Sequence, residues 1–304
     1  MAEYVNFPLS RKQEDEGATV YRGSFPDSPE CRVVDIPDGT VDIAENAFRD
    51  YSYLEEVRFP RSLRTLGACA FSGCTSLKRI VFSQGLISIG DEAFSGCPSL
   101  NGVTLPDTVR TLGEGAFEGC AGLTSLKLSE SLLTIGAGCF SYCFNLLDVT
   151  VPDSCASVEL NAFHGCFSLE SVKLSDSMAS LDESTFEGCR SLVTVDMPAR
   201  LVAVGRSAFK GCTSLSQLIL PLTVKRVGFD AFSGCSSLRR IAFPKGLTEI
   251  EDNEIFDGCD SLTDISYGGN EEGWTLLTRG NSLTVTRSDG TATVPRVTFM
   301  GLDM

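Results

Sequence analysis

A phenylalanine returns every 23 residues through most of this chain, and that period limits the fold more than any other feature. It stands at Phe48, Phe71, Phe94, Phe117, Phe140, Phe163, Phe186, Phe209 and Phe232, and after a step of 24 at Phe256. Three residues after each comes Tyr51 or one of nine cysteines from Cys74 to Cys259, and three further on a leucine, from Leu54 to Leu262. A fixed period of this length belongs to a solenoid, because one unit cannot bury its apolar face alone and must stack on its neighbours to build a continuous core. The two domains that 304 residues would otherwise suggest give way to a single array.

Inside one unit the pattern divides into short elements. After Leu77, Ile80 and Phe82 alternate with Arg79 and Val81, a period of two that predicts a strand with one face inward. Behind that strand stands Pro60, Pro106, Pro152, Pro198, Pro221 or Pro244, replaced in places by Ser83, Ser129 and Ser175. Proline has no amide hydrogen to give a ladder, so it marks the end of the strand. A second apolar pair follows, such as Leu86 with Ile89, usually closed by a glycine, Gly67, Gly90, Gly113, Gly136, Gly205 or Gly228. That predicts a second short strand and a turn. The stretch "DEAFSGC" has an acidic start, a buried Ala-Phe pair and a terminating glycine, which predicts a single helical turn on the outer edge.

The stretch "LKRIVFSQGLISIGDEAFSGCPS", Leu77 to Ser99, resembles the repeat unit of the BspA-like leucine-rich repeat proteins, and the resemblance covers residues 31 to 268. It implies a leucine-rich-repeat solenoid: a right-handed coil with a parallel β-sheet on the concave face, short second strands, and short helical turns on the outer side. Residues 1–30 are expected to form an N-terminal cap or arm. Residues 31–268 carry about ten repeats and a partial first unit, and 269–304 a C-terminal cap in which Trp274, the only tryptophan, plugs the open core end.

Thirteen cysteines invite a disulfide or metal reading, but nine occupy one slot of the repeat. Neighbours in a parallel stack lie about 4.8 Å apart, yet their Cβ vectors point the same way. The column is therefore read as reduced, buried thiols, and the resemblance implies that a residue in this slot packs under a turn and bonds its backbone. Cys139 replaces the alanine that precedes the repeat phenylalanine, whereas the redox states of Cys31, Cys69 and Cys155 are left open. So many free thiols fit a reducing compartment or an anaerobic niche.

No catalytic constellation emerges. The single histidine, His164, falls in a slot filled elsewhere by Arg49, Ser72, Glu118 and Lys210, which reads as solvent-facing and turned away from Cys166. No phosphate loop, nucleophile elbow or metalloprotease motif occurs. "RSDGTA" reads as a hairpin turn through its Asp-Gly and lacks the further ligands of a calcium loop. No catalytic residue, cofactor or metal is expected. A formal charge of -15, from 25 basic and 40 acidic residues, disfavours nucleic acid, and no apolar run is long enough to insert into a membrane.

What remains is surface. The outward residues of the first strands line up in two columns, from Glu56 to Asp264 and from Arg58 to Ser266, with five basic and four acidic residues between them. This face is nearly neutral in an acidic chain, and binding on it would centre on Arg79, Lys127, Lys173 and Ile219. A third column, Thr65, Ser88, Thr111, Thr134, Ser157 and Ser180, lines the second strands. Two functions fit: a non-enzymatic, adhesin-like protein-binding module that meets its ligand on the concave face, or an intracellular scaffold. The resemblance implies a host or neighbouring-cell surface protein as partner, and the chain is expected to be a monomer. A native start at Met1 would place it in the cytoplasm, and a removed signal on the cell surface or outside the cell.

Overall fold

The computed structural model describes residues 19–21, 27–29, 31–252, 254–279 and 283–300. Each 23-residue lap is one coil of a parallel β-solenoid. Its first strand, as in Arg79–Val81, Gly102–Thr104, Ser125–Lys127 and Asp148–Thr150, pairs in register with a counterpart one repeat away, so that Asp148 faces Ser171 and Thr150 faces Lys173. The ladder is interrupted between Arg79–Val81 and Gly102–Thr104, between Ser125–Lys127 and Asp148–Thr150, and between Thr194–Asp196 and Gln217–Ile219. The two-residue second strands form another parallel sheet, in which Thr65, Ser88, Thr111, Thr134 and Ser157 stand in one row. The hydroxyl column read from the sequence thus holds from Thr65 to Ser157, and Ser180 stands in a separate sheet opposite Ala203.

Between the two sheets runs a ladder of ten phenyl rings, Phe48 to Phe256, with consecutive centroids 4.7–6.0 Å apart and planes within 19° of parallel. All ten are completely buried. Offset stacking adds to their transfer from water, so each interior ring joins the coil before it to the coil after. Where proline is missing after the first strand, the turn is held from inside. Ser129 is buried; its hydroxyl donates to the Val109 carbonyl at 2.7 Å and accepts from the Ser131 amide at 3.1 Å.

The outer segment departs from expectation. The stretch around "AFSGC" is a series of hydrogen-bonded turns, and the one α-helix among the described residues is Glu271–Leu277 in the C-terminal region. The reason lies in where the amides point. The amides of Cys69, Phe71 and Gly73 donate to carbonyls of Asp91, Ala93 and Ser95 on the next coil, while those of Ala70, Ser72 and Cys74 donate three residues back. A helix would keep all these donors to itself; here alternate donors go to the next coil. The left-handed φ at Cys69 (53°) and Gly73 (74°) allows that alternation.

The glycines that close the second strand have another task. A Cβ at Gly136 would lie 2.6 Å from the Gly113 carbonyl carbon, so backbone meets backbone there. Glu159 and Asp182 take this slot in the next two coils, and there the second-strand sheet breaks, between Ser157–Val158 and Ser180–Leu181.

Of the expected N-terminal cap, Thr19–Tyr21 is a strand that pairs in parallel with Thr40–Ile43, and most of the rest lies outside the described residues. At the other end, Trp274 sits buried on the helix, its ring 5.3 Å from Tyr267 and 6.1 Å from Phe243. Asp289 and Gly290 turn the hairpin of Val285–Thr286 with Ala292–Thr293, as "RSDGTA" predicts. The chain then returns as Arg296–Phe299, which adds a strand in parallel to Asp264–Tyr267.

Candidate functional site

The first-strand face falls into three regions. At its N-terminal end the charges satisfy one another: Arg58 Nε reaches Glu56 Oε1 at 2.6 Å, Arg58 also meets Asp35 at 3.4 Å, and Arg79 lies 3.8 Å from Glu56. Arg79 is thus exposed but engaged. In the middle, Lys127 and Lys173 are exposed, and neither enters an ion pair among the described residues. Thr104 stands opposite Lys127, and Thr150 and Asp196 stand opposite Lys173. Two coils separate the lysines, and the strand ladder is interrupted between Ser125–Lys127 and Asp148–Thr150.

Further along, the face becomes apolar. Ile219 is 75% exposed, the highest value among the described large apolar residues, shared only with Leu276. In register with it stand Ala242 and Ser266. Met300, from the returning C-terminal segment, completes a depression of 260 Å³ around Ile219, with Gln217 and Arg240 on its rim. Leu222, just past the strand, is 72% exposed. The four residues picked from the sequence do not form one cluster. They spread over seven coils, with Arg79 in a charge network, two free lysines between, and Ile219 in a hollow that the sequence pattern could not reveal because Met300 arrives from outside the repeats.

The cysteines behave as the slot predicts. Each column thiol donates to the carbonyl of the preceding coil's phenylalanine, from Cys74 to Phe48 at 3.1 Å through Cys166 to Phe140 at 3.2 Å to Cys259 to Phe232 at 3.1 Å. All thirteen are free. Burial pushes the Cys155 thiol up to about 11 and the Cys259 thiol up to about 12, which keeps both protonated and poor nucleophiles. Cys31 is buried as well, and only Cys69 is partly open, its Sγ 3.7 Å from Glu92 Oε2.

His164 corrects the sequence reading. It is half-buried, not solvent-facing: its side chain is 27% exposed, its ring packs edge-on against Tyr142 at 5.1 Å, and Nδ1 lies 3.9 Å from Glu187 Oε2 without a hydrogen bond. It makes no dyad with Cys166, whose thiol is committed to the Phe140 carbonyl. Among the described residues no group of histidine, cysteine and carboxylate side chains could hold a metal ion, and no helix is long and apolar enough to cross a membrane.

The sequence reading passed over an aromatic group beside His164. On the outer turns Phe144 contacts both Tyr142 and Phe167, and the three occupy slots that are nowhere else aromatic: glycine or Asp50 stands in that of Tyr142, and small or polar residues such as Thr75, Pro98, Ala121 and Arg190 in that of Phe144 and Phe167. Those departures, in adjacent coils, were the available signal.

The model of the BspA-type leucine-rich repeat region matches residues 41–167 and 156–272. The chain belongs to this family. Among solved structures, a leucine-rich repeat protein of T. pallidum is 31% identical to the BspA-type chain, with 66% of this chain and 83% of that one covered at a TM-score of 0.50. A leucine-rich cell surface protein of Faecalibacterium prausnitzii shares 22% identity over 91% of this chain and 99% of that one, TM-score 0.50. The pneumococcal vaccine antigen PcpA shares 24% over 79% and 66%, TM-score 0.53. The last two show the fold alone. No curated protein matches the chain significantly.

Proposed function

We propose that this BspA-type chain is a non-enzymatic protein-recognition module whose first-strand face docks an extended segment of a partner protein. The observation that carries the reading is the hollow around Ile219. An isoleucine 75% exposed on a sheet face, beside an apolar depression with polar rims, is the anatomy of an interface anchor and its pocket. Lys127 and Lys173 extend the same face with charge left unsatisfied, and registered columns of side chains suit a partner whose residues repeat at similar intervals. The Arg79 pair with Glu56 makes Arg79 a rim residue.

The adhesin-like form of this reading takes a host or neighbouring-cell surface protein as ligand. The intracellular scaffold is the second reading, favoured by thirteen free thiols. One experiment addresses both: capture from extracellular-matrix, neighbouring-cell and own-cytoplasm extracts, with the native chain, a Lys127→Glu/Lys173→Glu variant and an Ile219→Asp variant in parallel. A partner retained by the native chain and lost by both variants supports the face, and its extract of origin decides between the readings. A partner indifferent to all three substitutions overturns it.

A further inference from the structure

The outer turns carry a second feature that docking on the first-strand face does not use. In most coils the residue two after the repeat phenylalanine is a glycine with left-handed φ: Gly73, Gly96, Gly119, Gly165, Gly188, Gly211, Gly234 and Gly258. In one coil it is Tyr142, at φ 59°. A bulky side chain in this region costs energy that glycine avoids, so the ring sits where the backbone resists it. Tyr142 is 41% exposed and stands edge-on to Phe144, 6.0 Å away and 37% exposed. Phe144 stacks on Phe167 of the next coil at 4.9 Å, and on the far side Arg190 lays its guanidinium over the Phe167 ring at 4.6 Å. Three consecutive coils thus build a stack that already ends in a cation.

Beside Tyr142 lies a cavity of 280 Å³. Its origin is visible in the repeat. The left-handed slot that holds Glu92, Asn161, Ser184 and Ser207 elsewhere holds Gly115 and Gly138 in two adjacent coils, and a Cβ on Gly138 would find only the Ser141 Cβ, 3.9 Å away. The gap is walled by the carboxylates of Glu92, Glu114 and Glu118 on one side and by Tyr142 and His164 on the other. No lysine or arginine lines it. Burial and its two carboxylate neighbours hold Glu118 above the ordinary range, so an incoming positive charge would relieve a repulsion already present.

We propose that this cavity binds an arginine side chain of a partner protein, the guanidinium against Tyr142 and between the three carboxylates, with the Phe144–Phe167 ledge taking the apolar residue next to it. A planar guanidinium offers both the stacking face and the fork of donors that such a wall can use; the compact ammonium of lysine offers only the charge. The Arg190–Phe167 contact shows the same chemistry satisfied within the chain, one coil beyond.

The test measures binding of an acetylated tetra-arginine peptide, with tetralysine, tetraglutamate and a neutral oligosaccharide as comparators, to the full chain by titration calorimetry at physiological salt. Two variants use residues that other coils place in the same slots and so keep the fold: Tyr142→Gly, and Gly138→Asn, which fills the gap with a residue that tolerates left-handed φ. The expected results are arginine bound several-fold tighter than lysine, about tenfold weakening by either variant, and thermal unfolding of both within a few degrees of the native chain. Lys127→Glu/Lys173→Glu should bind the peptide unchanged, which separates this site from the first-strand face. Equal affinity for native and both variants would reveal general attraction to an acidic chain and overturn the site, as would binding of the oligosaccharide in place of the arginine peptide.

Discussion

Replacing Phe140 with alanine removes a ring that is completely buried and stacked on both sides, 5.6 Å from Phe117 and 5.5 Å from Phe163. Truncation of a buried phenylalanine costs about 3–5 kcal/mol, from lost transfer and from the cavity left behind. Two lost stacking contacts, each about 0.5–1.5 kcal/mol, place this position toward the upper end of that range. In a solenoid the effect should also be local. The cavity in one coil weakens its two interfaces and no other, because stability is close to a sum of unit and nearest-neighbour contributions. Equilibrium denaturation of Phe140→Ala, Phe117→Ala, Phe209→Ala and the two doubles that contain Phe140→Ala tests both points. The pair 117/140 should couple by about 0.5 kcal/mol or more, and the pair 140/209, three coils apart, should add. A loss under about 1 kcal/mol for Phe140→Ala, or equal coupling in both doubles, would refute the ring ladder as the source of cohesion.

Other outcomes follow from the same geometry. Burial raises the thiols of Cys155 and Cys259, so the folded chain keeps protons there that unfolded thiols release above about pH 8.5. Stability against denaturant should be level below that pH and fall as pH rises through about 11 and 12, the values for Cys155 and Cys259; a flat profile to pH 11 would count against buried, protonated thiols. A thiol reagent at pH 7.5 should label Cys69 in the native chain and all thirteen cysteines after unfolding, read by intact mass. Trp274→Ala should uncover the core end beside Phe243 and Tyr267, and hydrogen exchange should accelerate in 243–300 first, with coils before Phe163 protected as in the native chain.

The period made the core legible. Because Phe, Cys and Leu recur at fixed offsets, every unit repeats the same inward positions, and Phe48 to Phe256, Cys74 to Cys259 and Leu54 to Leu262 are buried as the pattern requires. The outer turn was misread for a physical reason. "DEAFSGC" has the composition of a helix end, and the sequence of one coil cannot say that Phe71 and Gly73 give their amides to the next coil. The surface was less legible still. Ile219 was picked as an exposed residue, but its hollow depends on Met300, which lies outside the repeat and returns beside it only through the added strand Arg296–Phe299. His164 looked solvent-facing because its slot varies, and it is half-buried because Tyr142 fills a neighbouring slot that is glycine in eight other coils. Departures from the repeat were the informative positions.

The claim that the first-strand face is the recognition surface is tested most directly by a photo-reactive residue placed at Ile219, with a second chain carrying it at Leu133, exposed on the second-strand side. Both are irradiated with the partner captured by the native chain, and adducts are mapped by mass spectrometry. The account predicts adducts from position 219 and none from position 133. Adducts from 133 alone, or from neither position while capture persists, would contradict it and move the recognition surface off the first-strand face.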